Sequence, residues 1–180
     1  MLYFVTSSRN KFLEAKEILK MPLKQISLDL PEIQAIEVDD ILRSKAKLAY
    51  KKIQKPCLVE DTGLYIRALN GFPGALAKWV EKTMGWDKFA DLLKDLKDRR
   101  AYAKCVVCYY DGKKYRFGKG KVAGSISPKP RGVNNFGWDC IFVPRGFRKT
   151  WAEMSATEKN QISHRQKALE GLVKQSIDKT

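Results

Sequence analysis

Histidine is nearly absent: His164 is the only one in the 180 residues. With so few nitrogen ligands, and no Cys or His spacing that suits zinc, a zinc centre has little support. A Ser–His nucleophilic centre has little either, because no serine lies in a nucleophile-elbow context. Long apolar runs are missing, so no segment reads as a membrane span. The start, Met1 to Thr6, is apolar but short, without a basic region or cleavage pattern, and reads as a first strand. The expected setting is cytoplasmic. The GxxxxGK[ST] pattern of a phosphate loop occurs nowhere. Repeats, low-complexity tracts and linkers are lacking too, so the chain reads as one domain.

Acidic residues are in deficit. Lys plus Arg is 35 against 20 for Asp plus Glu, a net charge of +15. The excess suits attraction to nucleic acid or nucleoside triphosphates, or simply a lysine-rich solvated surface, since the basic residues are scattered from Lys20 to Lys179. Of four cysteines, Cys105 and Cys108 have redox-motif spacing. They fall in a segment, Tyr102 to Tyr110, that reads as a strand, where residues three apart face opposite ways. Buried structural thiols are the expectation.

What the chain does have is concentrated in its last quarter. Phe136-Gly137-Trp138-Asp139 is followed by Lys159 and by His164-Arg165. Together they offer a flat aromatic face and a rim of donors and acceptors, the set needed to hold a heteroaromatic ring with polar edges. Ser155 to Glu158 and Ser163 to Gln166 both fit capping boxes. A last helix carries Ile162, Leu169, Leu172, Val173 and Ile177 on its apolar side.

Upstream, Leu2 to Thr6 reads as a buried strand and Asn10 to Lys20 as a helix with Phe12, Ala15, Ile18 and Leu19 on one face. Between them Thr6, Ser7, Ser8, Arg9, Asn10 and Lys11 form a polar turn into a helix start. Free backbone N–H groups there can face an anion, or Ser7 or Ser8 can serve as an ordinary N-cap. A second strand is expected over Leu23 to Leu30 and a second helix from Ile41 to Ile53, ended by Pro56. Cys57 to Val59 reads as a short strand ending at a turn, Glu60-Asp61-Thr62-Gly63, with Leu64 to Leu69 extended beyond it. Carboxylates at a strand end suit a hard cation such as Mg²⁺, with Glu32 after another strand as a further ligand; a solvated acidic turn is the alternative. Two helices follow, around Ala77 to Met84 and Trp86 to Leu96, then a hairpin turning at Asp111-Gly112, a loop from Gly124 to Asn135, and a strand from Cys140 to Val143. Lys45, Lys78 and Lys159 are phosphate or base-edge candidates. The element order is mixed α/β with a long antiparallel portion.

The chain resembles the inosine/xanthosine triphosphate pyrophosphatases. The segments that carry the resemblance are Phe136 to Asp139, Ala152 to Met154, Glu158-Lys159, Ile162 to Arg165, Val59 to Leu64, Gly71 to Gly74 and Pro31 to Gln34. It implies an elongated α/β fold of two lobes around a substrate cleft, usually homodimeric, that hydrolyses ITP, dITP and XTP to the monophosphate and pyrophosphate with Mg²⁺. By position it implies Thr6 to Lys11 as the phosphate turn, and Glu32 and Asp61 as metal-side acids. Asp61 is the implied general base, with Glu60 assisting. Thr62, Lys45 and Lys78 match substrate contacts, and Phe136 to Asp139, Lys159, His164 and Arg165 the base pocket. The turn departs from the family's Thr-Gly-Asn or Thr-Ser-Asn at Ser8, whose hydroxyl, or Asn10, would have to replace an amide. A pyrophosphatase for modified pyrimidine nucleotides fits the pocket less well. A basic nucleic-acid-binding protein would leave Glu32, Glu60 and Asp61 without a purpose.

Overall fold

The computed structural model describes residues 1–31, 33, 35–133 and 136–177. Glu32, Gln34 and Asn135 therefore lie outside the described residues, as does the side chain of Ile177. Among the described residues seven strands form one sheet, ordered β2-β1-β3-β5-β6-β7, with β4 paired to β3. They are β1 (Leu2–Val5), β2 (Leu23–Ile26), β3 (Cys57–Ile66), β4 (Pro73–Gly74), β5 (Arg100–Tyr110), β6 (Tyr115–Ile126) and β7 (Phe142–Pro144). The β2-β1-β3 portion is parallel and the rest antiparallel. The helices are α1 (Arg9–Leu19), α2 (Val38–Ile53), α3 (Ala77–Thr83), α4 (Trp86–Leu92), α5 (Ala156–Ile162) and α6 (His164–Ile177). No helix among the described residues is long and apolar enough to cross a membrane.

The hydrophobic pattern explains the layers. On one face of the sheet, Phe4, Leu58, Cys105 and Val107 pack against Phe12 and Ala15 of α1 and Ala168, Leu169 and Leu172 of α6. On the other face, Val5, Cys57, Val59, Val106 and Cys108 pack under Val38, Leu42, Ala46 and Ala49 of α2. Cys105 and Cys108 thus face opposite sides of β5, and all four cysteines are free thiols. A third core gathers the far ends of β3, β5 and β6 with α3, α4, β7 and the 3-10 turns at Gly137–Cys140 and Trp151–Glu153. Strands of ten to twelve residues run through both lobes, about 35–40 Å at the usual rise.

Several boundaries differ from those read in the sequence. Glu60-Asp61-Thr62-Gly63 is not a turn at a strand end but the middle of β3, hydrogen-bonded in register to β5 throughout. Gly63 serves close approach rather than bending: a Cβ there would lie 2.8 Å from the Gly74 carbonyl carbon of β4. β3 stops at Ile66 and a 3-10 turn covers Arg67–Leu69, so Leu64 to Leu69 is not all extended. β2 ends at Ile26 rather than Leu30, and β6 runs on to Ile126 through the expected loop. Cys140 ends a 3-10 turn rather than opening a strand. Ile162 closes α5, and α6 begins at His164.

The placement of α6 depends on glycine in β6. A Cβ on Gly118 would sit 1.9 Å from the Ala168 carbonyl oxygen, and one on Gly120 1.9 Å from that of His164. Both contacts are with helix backbone, which cannot swing aside. The helix lies directly on the strand, and its first residue is pinned over Gly120. Gly120→Ala is expected to cost about 2 kcal/mol, lowering Tm by roughly 4–8 °C. A thermal melt by circular dichroism checks this; an unchanged Tm would contradict the close packing.

Candidate active site

The site follows from a gap in the sheet. β1 pairs with β3 only at Tyr3↔Cys57 and Phe4↔Leu58. β4 takes up the same edge at Leu64↔Gly74. Among the described residues, no strand covers the edge from Val59 to Gly63. Side chains from both faces of β3 therefore reach one space: Glu60 and Thr62 from the α1/α6 side, and Asp61 from the α2 side. A cleft of about 620 Å³ opens there between the lobes, within the range of small-molecule sites. A second groove, of about 470 Å³, runs along α3 and α4 past Phe72, Trp79 and Leu92 and has no ionisable side chain in its wall.

At one end of the cleft, β1 turns into α1. The Ser8 backbone N–H donates to Thr6 Oγ1 at 3.1 Å. Ser8 is the N-cap, its hydroxyl accepting from the Lys11 N–H at 3.3 Å. Thr6, Ser7, Ser8 and Lys11 line the cleft, so the start of α1 presents its partial positive charge there. Arg9 and Asn10 do not line it: both are exposed, and the Arg9 guanidinium lies over Phe12. A helix advances about 100° per residue, so only the Lys11 side of this turn faces inward. Asn10 thus gives no substitute for the missing amide at Ser8. Lys45 on α2 and Lys78 on α3 also line the cleft, and Lys45 Nζ donates to the Glu60 carbonyl at 3.2 Å.

Asp61 lies between the two ends, partly exposed, with Oδ1 accepting from the Thr62 N–H at 2.9 Å. Among the described residues no three His, Cys, Asp or Glu side chains gather into a metal cage. The partly exposed Asp61 carboxylate, in the same cleft as the start of α1, is a hard-oxygen donor. It fits a cation such as Mg²⁺, which keeps several waters and shares substrate phosphate oxygens.

The other end holds the aromatic group. Phe136, Gly137, Trp138, Asp139, Lys159, His164 and Arg165 all line the cleft. Lys159 Nζ sits 4.7 Å from the Phe136 ring centroid, and the Arg165 guanidinium 5.6 Å. His164 stacks on Trp151 at 5.0 Å between centroids. It is 3% exposed, yet neither ring nitrogen has a protein partner, and Trp138 Nε1 also lacks one. Burial, reinforced by Arg165, Lys159 and Lys11, holds the imidazole well below its ordinary pKa, so it is neutral and offers one donor and one acceptor.

Arg165 and Glu60, both in the cleft wall, are bound to each other. The guanidinium is tied to Glu60 by two bonds of 2.8 and 2.7 Å and to Glu14 by a third. Glu60 also faces Lys11 at 3.4 Å. Burial opposes its charge, but Arg165 and Lys11 outweigh that and hold the carboxyl at about 2. A carboxylate so engaged is a poor proton acceptor. It acts as a strut, which a solvated turn would not have done. Asp139 is opposite in sign: burial raises it to about 6 although Lys159 bonds it at 2.5 Å. Of the two expected capping boxes, the one at Ser155 is complete. At Ser163 only the Gln166 N–H bond forms, the Gln166 side chain turning to Glu170.

The reading of the sequence passed over Glu14 and Trp151. Glu14 sits between the buried Phe12 and Ala15, one turn beyond Lys11, a carboxylate beside an apolar stripe that signals a buried partner. Trp151 lies in a short 3-10 turn whose capping box, Thr150 with Glu153, was legible.

Comparison with known proteins gives the family and the fold. The sequence model of the Ham1 family matches residues 2–175. The chain belongs to the Ham1 family. It is 42% identical to the dITP/XTP pyrophosphatase of Thermococcus kodakarensis, over 93% of this chain and 92% of that protein. It is 40% identical to the protein of that name from Pyrococcus horikoshii, with the same coverage. Among solved structures, the Staphylococcus aureus Ham1 protein superposes with a TM-score of 0.82 at 27% identity, covering 99% of this chain and 98% of that one. A HAM1 protein from Coxiella burnetii gives 0.82 at 31% identity, covering 99% and 100%. The Ham1 fold is thus this mixed sheet with its helices.

Glu60 has a folded-state pKa below its unfolded value, so its contribution to stability is present above pH 4.5 and lost as pH falls towards 2. The upper bound is about 3 kcal/mol. Glu60→Gln is expected to be less stable at neutral pH and to lose this acid-limb component. Denaturant midpoints between pH 2 and 5 check it; parallel pH curves for the two proteins would contradict the assignment.

Proposed function

We propose that this chain hydrolyses non-standard purine nucleoside triphosphates, ITP, dITP and XTP, to the monophosphate and pyrophosphate. The observation that carries the reading is His164: a buried, neutral imidazole with both nitrogens unpartnered, in the wall of a cleft whose other end is an anion-binding helix start. The relatives named dITP/XTP pyrophosphatase support the same substrate class.

In this reading the purine lies against Phe136 and Trp138, with its polar edge towards His164, Lys159 and Trp138 Nε1. A 6-keto oxygen accepts from donors there. The 6-amine of adenine would set donor against donor, at a cost of about 1–3 kcal/mol when buried. The triphosphate runs to the start of α1, with Lys11, Lys45 and Lys78 balancing its charge. Asp61 accepts the proton of the attacking water as its oxygen bonds to the α-phosphorus and the bond to the leaving pyrophosphate breaks. Mg²⁺, held by Asp61 and by substrate phosphate oxygens, would supply charge neutralisation on the phosphates. Glu32 is a further proposed ligand. Thr62 lies beside Asp61 and orients it through its N–H. The family resemblance supports a homodimer.

Asp61→Asn is expected to keep the fold, by circular dichroism, and to lose about 10²-fold or more in kcat on ITP. His164→Ala is expected to raise KM for ITP about tenfold, and also to lower Tm because the buried ring stacks on Trp151. Pyrophosphate release measures both. Near-normal kcat in the first removes Asp61 as base, and an unchanged KM in the second removes His164 from the base pocket.

A further inference from the structure

A buried chain of alternating charges crosses the site: Asp139, Lys159, Glu14, Arg165, Glu60, Lys11. Glu14 is the one member that takes no part in the cleft wall. It bonds Lys159 at 2.7 Å and also pairs with Arg165. Those two cations are 2% and 1% exposed. Each has a counter-charge of its own, Asp139 for Lys159 and Glu60 for Arg165. Glu14 is the carboxylate they share.

We infer that Glu14 is a positioning residue for base selection, setting where the Lys159 and Arg165 donors stand at the base end; this rests on the purine reading proposed above. Two like charges in a low-dielectric site repel, and a shared carboxylate fixes their separation. Both cations also lie over the Phe136 ring, so their separation decides where donors meet the edge of a ring bound against it. Glu14 belongs to α1, whose first turn forms the anion end. One rigid helix therefore sets the spacing between the phosphate contacts and the base-edge donors. Without the Glu14 charge, Lys159 keeps Asp139 and Arg165 keeps Glu60, but the carboxylate that fixes the separation of the two cations is gone. The start of α1 and Asp61 are left as they were, so selection is lost and chemistry is kept.

α1 supplies its own control. Glu17 accepts from Asn160 Nδ2 at 2.8 Å, a second tie between α1 and α5 that involves neither cation. The experiment compares wild type, Glu14→Gln and Glu17→Gln. Affinity for ITP and ATP is read from tryptophan fluorescence, since Trp138 lines the cleft, together with kcat, KM and Tm. Glu14→Gln is expected to lose about tenfold of the ITP-over-ATP preference through Kd and KM, with kcat on ITP within about threefold of wild type. Glu17→Gln is expected to keep the preference. A folded Glu14→Gln protein with wild-type preference overturns the inference, and so does an equal loss in both variants. If Glu14→Gln does not fold, Glu14→Asp keeps the charge and shortens its reach; a reduced preference is expected, and an unchanged one overturns the assignment. Absence of pyrophosphate from ITP with the wild type would sink the proposed function by itself, while the fluorescence titrations still decide whether Glu14 sets ring preference.

Discussion

A strand that lacks a neighbour along part of one edge lets side chains from both of its faces enter the same space. In this protein that stretch is Val59 to Gly63 of β3, between the last pairing with β1 and the first with β4. Glu60 and Asp61 are adjacent in sequence and point to opposite faces, yet both border one cleft. The same gap lets α1 begin at the cleft, because β1 ends where the gap starts. The two lobes are joined through β3, β5 and β6, so the cleft floor is continuous sheet.

The electrostatics follow from that geometry. Taking several charges out of water is costly unless each is paired, and here acids and bases alternate from Asp139 to Lys11. The pairing divides roles between the two carboxylates on β3. Glu60 is locked to Arg165 and Lys11, while Asp61 stays partly exposed. His164 stands in the cleft wall buried, with neither ring nitrogen bound to a protein partner. An orphaned polar group of that kind is expected where a ligand completes the site.

Much of this was legible in the sequence, for identifiable reasons. The α1 and α2 stripes, the hairpin at Asp111-Gly112 and the opposed cysteines follow from local periodicity, which one segment contains in itself. The residues that gather at the aromatic end of the cleft were legible because a lone histidine among aromatic and charged residues is unusual. The Glu60–Gly63 turn was misread because small residues and acids mark turns by composition, whereas here Gly63 answers to the approach of β4. The pairing of Arg165 with Glu60 and Glu14 spans more than a hundred positions of sequence, which no local pattern encodes. The position of Glu14 beside the buried stripe of α1 signals a buried partner, but which partner is set by contacts equally distant in sequence.

The most direct test of the account is the substrate preference of the purified protein with Mg²⁺ on ITP, XTP, GTP and ATP, scoring pyrophosphate against orthophosphate. The account predicts pyrophosphate from ITP and XTP and little of either product from ATP and GTP. Orthophosphate as the product, or equal turnover of all four, would contradict it.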